Sequence, residues 1–193
     1  SVDSRCDFES IIDSISKLQI DNVVITGGDP FNADDFDDAV GVIKMLRQKK
    51  IKASVNTSLA VNSHQTALII EASPDMIFVS CDSHQQKVHD AQRGKWDLTY
   101  NSLREIVKSQ VPVIVNCVVT LLNYKQIKEI YRFYMDLGVQ DIDFNLAYLP
   151  ETSIQYDLLS CEKLSSGEGI ALIEDLLWCA DQGDNQKKKI AHI

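Results

Sequence analysis

The sequence predicts an α/β protein built on a parallel sheet, and three observations carry that reading. Short runs rich in Val and Ile alternate with amphipathic helical patterns. Five such runs occur, with no low-complexity linker between them, so 1–193 reads as a single domain. Their C-terminal ends also carry polar residues, the level at which βα barrels and open α/β sheets bind ligands.

The elements follow in order. Phe8, Ile11, Ile12, Ile15 and Leu18 recur at helical spacing, and 22–26 then reads as a strand. A second helix buries Phe36, Ala39, Val40, Ile43 and Leu46, with Asn32 as its expected N-cap. A strand over 52–56, a short helix over Ser63–Ala72 and a buried strand over Met76–Ser80 come next. A polar loop is expected over 82–97 and a helix over 98–109. The run 113–120 is the fourth strand, 124–137 a helix stopped by Gly138, and Asp141–Leu146 the fifth strand. A last helix over 168–181 follows Ser165 and Glu168, which are spaced as a capping box. Helices of this length between strands imply right-handed crossovers and parallel pairing.

The chain of 193 residues, 45% hydrophobic and 24% charged, is long enough to bury one good core. A net charge of −9 argues against a nucleic-acid surface, which needs clustered Lys and Arg. The basic run 187–189 reads as a solvated tail. No apolar stretch reaches the ~20 residues that span a bilayer, and no signal-peptide pattern opens the chain. A cytoplasmic location is expected, with neither nucleic acid nor membrane as partner. Cys6, Cys81, Cys117, Cys161 and Cys179 form no C-x-x-C pair, and their odd number disfavours a disulfide framework. Cys117 reads as a small buried hydrophobe, and Cys161 with Cys179 as either core or a weak metal pair. No metal site is assigned.

The strand ends carry Thr26-Gly-Gly-Asp-Pro30, Asn56-Thr57-Ser58, Ser80-Cys81-Asp82-Ser83, Thr120 with Asn123, and Asn145 with Tyr148. Gly27 and Gly28 let the backbone turn sharply and approach a ligand, and Pro30 removes a donor. Each end has a purely structural alternative: Asn123 with Gln126 as a capping pair, Thr57-Ser58 and Asp82-Ser83 as turn residues. Taken jointly, the ends favour a ligand site.

These residues resemble the radical SAM superfamily, in its peptide-modifying SPASM and twitch branch. The stretch 23–30 resembles a strand ending in G-G-E-P, with Asp29 in place of Glu; 54–59 is similar to a strand ending in T-N-G. The stretch 78–83 resembles an S-x-D-G ending, and 89–94 matches the loop H-D-x-x-R-G. The run 118–123 and the helix ending at 136–139 resemble that branch's fifth strand and helix. The likeness covers about residues 8–150, leaving 151–193 as a C-terminal loop and helix. It implies a partial (βα)6 TIM-like barrel whose first strand is missing from this chain. The backbone of Gly27, Gly28 and Asp29, followed by Pro30, would receive the amino group of S-adenosylmethionine (SAM). Ser80 and Arg93 would hold its carboxylate, and Asn116 and Leu146 would lie near ribose and adenine. Asn56 serves equally as a strand-end cap, and Arg93-Gly94 also reads as an exposed turn.

The resemblance further implies a 4Fe–4S cluster held by C-x-x-x-C-x-x-C, an electron donor and a peptide or protein substrate. That cysteine motif is absent from the sequence, and no cysteine follows Cys179 to supply an auxiliary cluster. A missing first strand leaves 22–26 with an unpaired edge, so the chain is expected to be the truncated core of a longer enzyme. On this reading the core is inactive as it stands, and its catalytic residues are not assigned. A cluster-free binding or scaffold module is the alternative. An aldolase or hydrolase barrel would need a Lys or a carboxylate pair on the strand ends, where no Lys falls.

Overall fold

The computed structural model describes residues 7–147 and 159–184, so Cys6, Tyr148 and the basic run 187–189 lie outside the described residues. Asp7 opens α1 (Phe8–Lys17), its carboxylate accepting from the Ser10 N–H at 3.1 Å. Then come β1 (Asn22–Ile25), α2 (Phe36–Gln48), β2 (Lys52–Thr57), α3 (Ser63–Ala72) and β3 (Met76–Ser80). The second half runs α4 (Gln86–Gln92), α5 (Trp96–Lys108), β4 (Val113–Val119), α6 (Ile127–Leu137), β5 (Asp141–Leu146) and α7 (Ser166–Asp184).

All five strands are parallel and lie in chain order, β1-β2-β3-β4-β5, so each βα unit pairs with the next one. This is a TIM-like barrel left open on one side. The pleat separates two faces. Val55, Ile77, Val79, Val113, Val115 and Val119 are buried with the helix residues Ile43, Leu46, Ile69, Leu103 and Ile130 in one core. Each such side chain contributes about 1.5–3 kcal/mol on burial. The registers Ser80↔Asn116 and Asn116↔Asp143 put the polar residues on the other face, with Asn56 and Phe78.

The structure corrects several element expectations. Asn32 does not cap α2; it accepts from the N–H groups of Asp34 and Asp35 at 2.8 and 3.0 Å, shaping a turn before the helix, and Asp35 holds the cap position. The expected loop 82–97 contains α4, and α5 starts at Trp96 behind Lys95, whose φ is 60°. The helix expected over 124–137 opens as a 3₁₀ turn, Tyr124–Gln126. Asn123 is no capping partner of Gln126: its Oδ1 accepts from the Thr120 N–H at 2.7 Å and its Nδ2 donates to the Asp82 carbonyl at 2.6 Å. The capping box before α7 is present, with Ser165 N–H donating to Glu168 Oε2 at 3.1 Å and Glu168 N–H to Ser165 Oγ at 3.4 Å. Among the described residues no helix is long and apolar enough to cross a membrane.

Candidate functional site

The site begins with the turn after β1. Gly27 has φ +131°, a conformation L side chains rarely adopt, and a Cβ built on Gly27 or Gly28 would meet no atom within 4 Å. The turn is therefore open to a ligand and is not filled by packing. Asp29 faces the protein. Its Oδ1 accepts from Thr57 Oγ1 at 2.7 Å and from the Phe31 N–H at 3.1 Å; its Oδ2 accepts from the Ser58 N–H at 3.0 Å and from Ser58 Oγ. Burial raises the Asp29 carboxyl, and these four bonds outweigh it, holding the group below its ordinary 3.8. The shorter side chain standing where the resemblance has Glu thus clamps the turn to the end of β2.

The third wall comes from β3 and α4. Within the loop expected to carry Arg93, each residue has a separate task. His89 is buried against Cys81 Sγ at 3.6 Å and packs on Trp96 with ring centroids 5.2 Å apart. Asp90 Oδ1 accepts from the Trp96 N–H at 2.9 Å, fixing the start of α5. Arg93 ends α4 with its side chain 31% exposed, and Gly94 turns away at φ +75°.

Gly27, Gly28, Asp29, Asn56, Ser80 and Arg93 meet around one cleft of about 240 Å³, joined by Thr26, Thr57 and Ser58. Pro30 is not in it; it lines a second hollow of about 220 Å³, together with Phe8 and Asp38. Asn116 sits one strand beyond Ser80 on the same face, outside the cleft lining. Leu146 pairs with Val119, so strand alternation places it with Ile142 and Phe144 on the opposite face, half exposed. Sequence reading missed the tasks of Ser58 and Asp82, which became visible only through partners far away in the chain.

The described cysteines do not fit an iron–sulfur cluster, whose ligands must be thiolates. Burial pushes the Cys81 thiol up to about 12, against the Tyr134 hydroxyl 2.8 Å away, and Cys179 also to about 12. Burial raises Cys117 well above its usual range and Cys161 above 9.0. Among the described residues no group of His, Cys, Asp and Glu gathers to hold a metal ion.

Residues 7–134 match the Radical SAM superfamily. No curated protein matches the chain by sequence. Among solved structures, native anSMEcpe with bound AdoMet and a peptide superposes with TM-score 0.73 at 14% identity, over 95% of this chain and 53% of that one. SuiB of Streptococcus suis, bound to the precursor peptide SuiA, gives 0.68 at 16%, over 92% and 39%. A domain of pyruvate-formate lyase-activating enzyme from Bacteroides vulgatus gives 0.59 at 19%, over 81% and 93%. The chain thus spans about half the length of anSMEcpe or less in the case of SuiB, and shares their fold.

Proposed function

The chain belongs to the radical SAM superfamily, and from that premise we propose that it is the SAM-binding core of a radical SAM enzyme acting on a peptide or protein. One observation carries the reading: the unfilled Gly27-Gly28 turn, Ser80 and the Arg93 guanidinium meet at a single cleft. A ligand with an amino acid at one end suits this set. Backbone carbonyls of 27–29 accept from its ammonium, and the Ser80 hydroxyl with the Arg93 fork receives its carboxylate. Asn116, next to Ser80 in the register, is proposed toward the nucleoside end, whereas Leu146, on the opposite face of β5, is not. Pro30 lines the neighbouring hollow and is not assigned a contact to the ligand.

A 4Fe–4S cluster, when bound, supplies the electron that splits the SAM sulfonium and yields a 5′-deoxyadenosyl radical for hydrogen abstraction. In this proposal its thiolates come from outside the described residues, and an electron donor from outside the chain. A peptide or protein substrate is supported by the His89-to-Gly94 loop and by the peptides bound in anSMEcpe and SuiB.

The test is anaerobic reconstitution of the full-length protein with iron and sulfide, followed by reduction in the presence of SAM. Chromatography is expected to show 5′-deoxyadenosine. Protein that takes up no iron and releases no 5′-deoxyadenosine overturns the enzymatic reading. The absence of a C-x-x-x-C-x-x-C motif from these 193 residues favours a second reading, a cluster-free binding module, whose signature is SAM binding in calorimetry without iron uptake.

A further inference from the structure

Asp82 lies behind the cleft, with its side chain 3% exposed. Its Oδ1 accepts from the Val118 N–H at 2.8 Å, and its Oδ2 accepts from Arg93 Nε at 2.5 Å. The Asp82 carbonyl receives Asn123 Nδ2 at 2.6 Å, so the side chain holds the residue to β4 and the backbone holds it to the turn that follows β4. Gln92, beside Arg93, is tied to the same region, its Oε1 accepting from Thr120 Oγ1 at 3.0 Å. Arg93 reaches the cleft from the last turn of a short helix, yet one edge of its guanidinium is already fixed. Its Nη groups make no hydrogen bond among the described residues, and Arg93 lines the cleft.

A guanidinium is a rigid planar fork, so fixing Nε also sets the direction of the paired Nη donors. A free arginine side chain would lose its rotamer freedom on capturing a ligand; one already pinned loses less and binds tighter. From this we infer that Asp82 is a positioning residue: it holds Arg93 so that the cleft selects a ligand carrying a free α-carboxylate. The inference rests on the proposed SAM site and adds which part of the ligand is discriminated, and by what.

The test compares SAM with decarboxylated SAM by titration calorimetry on the full-length protein. Asp82→Asn is expected to weaken SAM about tenfold, the scale of one charge-assisted hydrogen bond, and to change decarboxylated SAM less than about twofold. Once Arg93→Ala is in place, adding Asp82→Asn is expected to cost SAM nothing more. Equal losses for both ligands, or additive losses in the double variant, overturn the inference and make Asp82 merely structural. Wild-type protein that binds neither ligand overturns the site reading itself, and this inference with it. A measurement on the unaltered protein guards against a misfolded variant. The Arg93 Nε–H, assigned through Arg93→Lys, should exchange with water more slowly than that of Arg104, an exposed residue of α5 with its guanidinium over the Tyr100 ring. Equal exchange rates overturn the fixed fork.

Discussion

At the scale of single residues, Asp29 and His89 show how the site is held before any ligand arrives. Asp29 is ionised in the fold and its carboxyl is held below 3.8, so its clamp is at full strength above that value and is lost as pH falls through the folded pKa. Asp29→Ala is expected to lower unfolding stability by about 1–3 kcal/mol, toward the low end because the group is half exposed, and to flatten the acid limb of a urea-denaturation pH series. His89 runs by a different route. Burial holds it below 6.5, outweighing the nearby Asp82 carboxylate, so it is neutral in the fold, while the unfolded chain protonates first. Stability is therefore full above about 6.5 and falls as pH drops toward the folded value. His84 adds to the same slope, also through burial. The variant His89→Gln is expected to flatten that slope in thermal melts between neutral and acid pH; an unchanged slope would mean that the fold leaves the imidazole titrating as it does in the unfolded chain. Neither role is legible locally. The sequence shows a carboxylate after two glycines, but its partners Thr57 and Ser58 are brought to it only by the pairing of β1 with β2.

At the scale of elements, strands were easier to read than helix starts. Met76–Ser80 and Asp141–Leu146 agree residue for residue with the sequence reading, because apolar residues recur at every second position, Ile77 with Val79 and Ile142 with Phe144 and Leu146. The short α4 was missed because Gln86–Gln92 carries little apolar periodicity. It forms where His89 packs against Trp96, itself stacked on Tyr100 at 5.1 Å, a contact no local pattern displays. Helix ends with special backbone were more legible. Gly138 terminates α6 at φ +102°, and an added Cβ would sit 3.0 Å from Val107 Cγ1. Gly138→Ala is expected to cost about 1–3 kcal/mol in equilibrium unfolding, from the strained φ together with this contact. A loss no larger than at an ordinary helix glycine would show that the α6–β5 turn relaxes freely.

At the scale of the whole molecule, the partial barrel and a group of polar strand ends were legible in the sequence, while Pro30, Asn116 and Leu146 fall outside the cleft lining. The alternation of β and α runs carried the architecture. The displacement of Leu146 follows from the pleat, which the register with Val119 alone decides. Among the described residues β1 pairs only with β2, and Val24 is left 49% exposed, as Leu18 and Ile20 just before the strand are also exposed. An open edge of that kind recruits other strands. Val24→Lys is expected to reduce self-association of residues 1–193 in sedimentation velocity, and unchanged association would place the sticky surface elsewhere. The strand order carries one more consequence, for folding kinetics. Because every strand pairs with the next one in the chain, as Asn22 does with Lys52, the sheet can grow by accretion from any neighbouring pair, without waiting for distant ends to meet. Asp82 and Arg93 both lie between β3 and β4, within one unit of that series, so this side of the binding cleft can be assembled early, while the outer strands are still adding on.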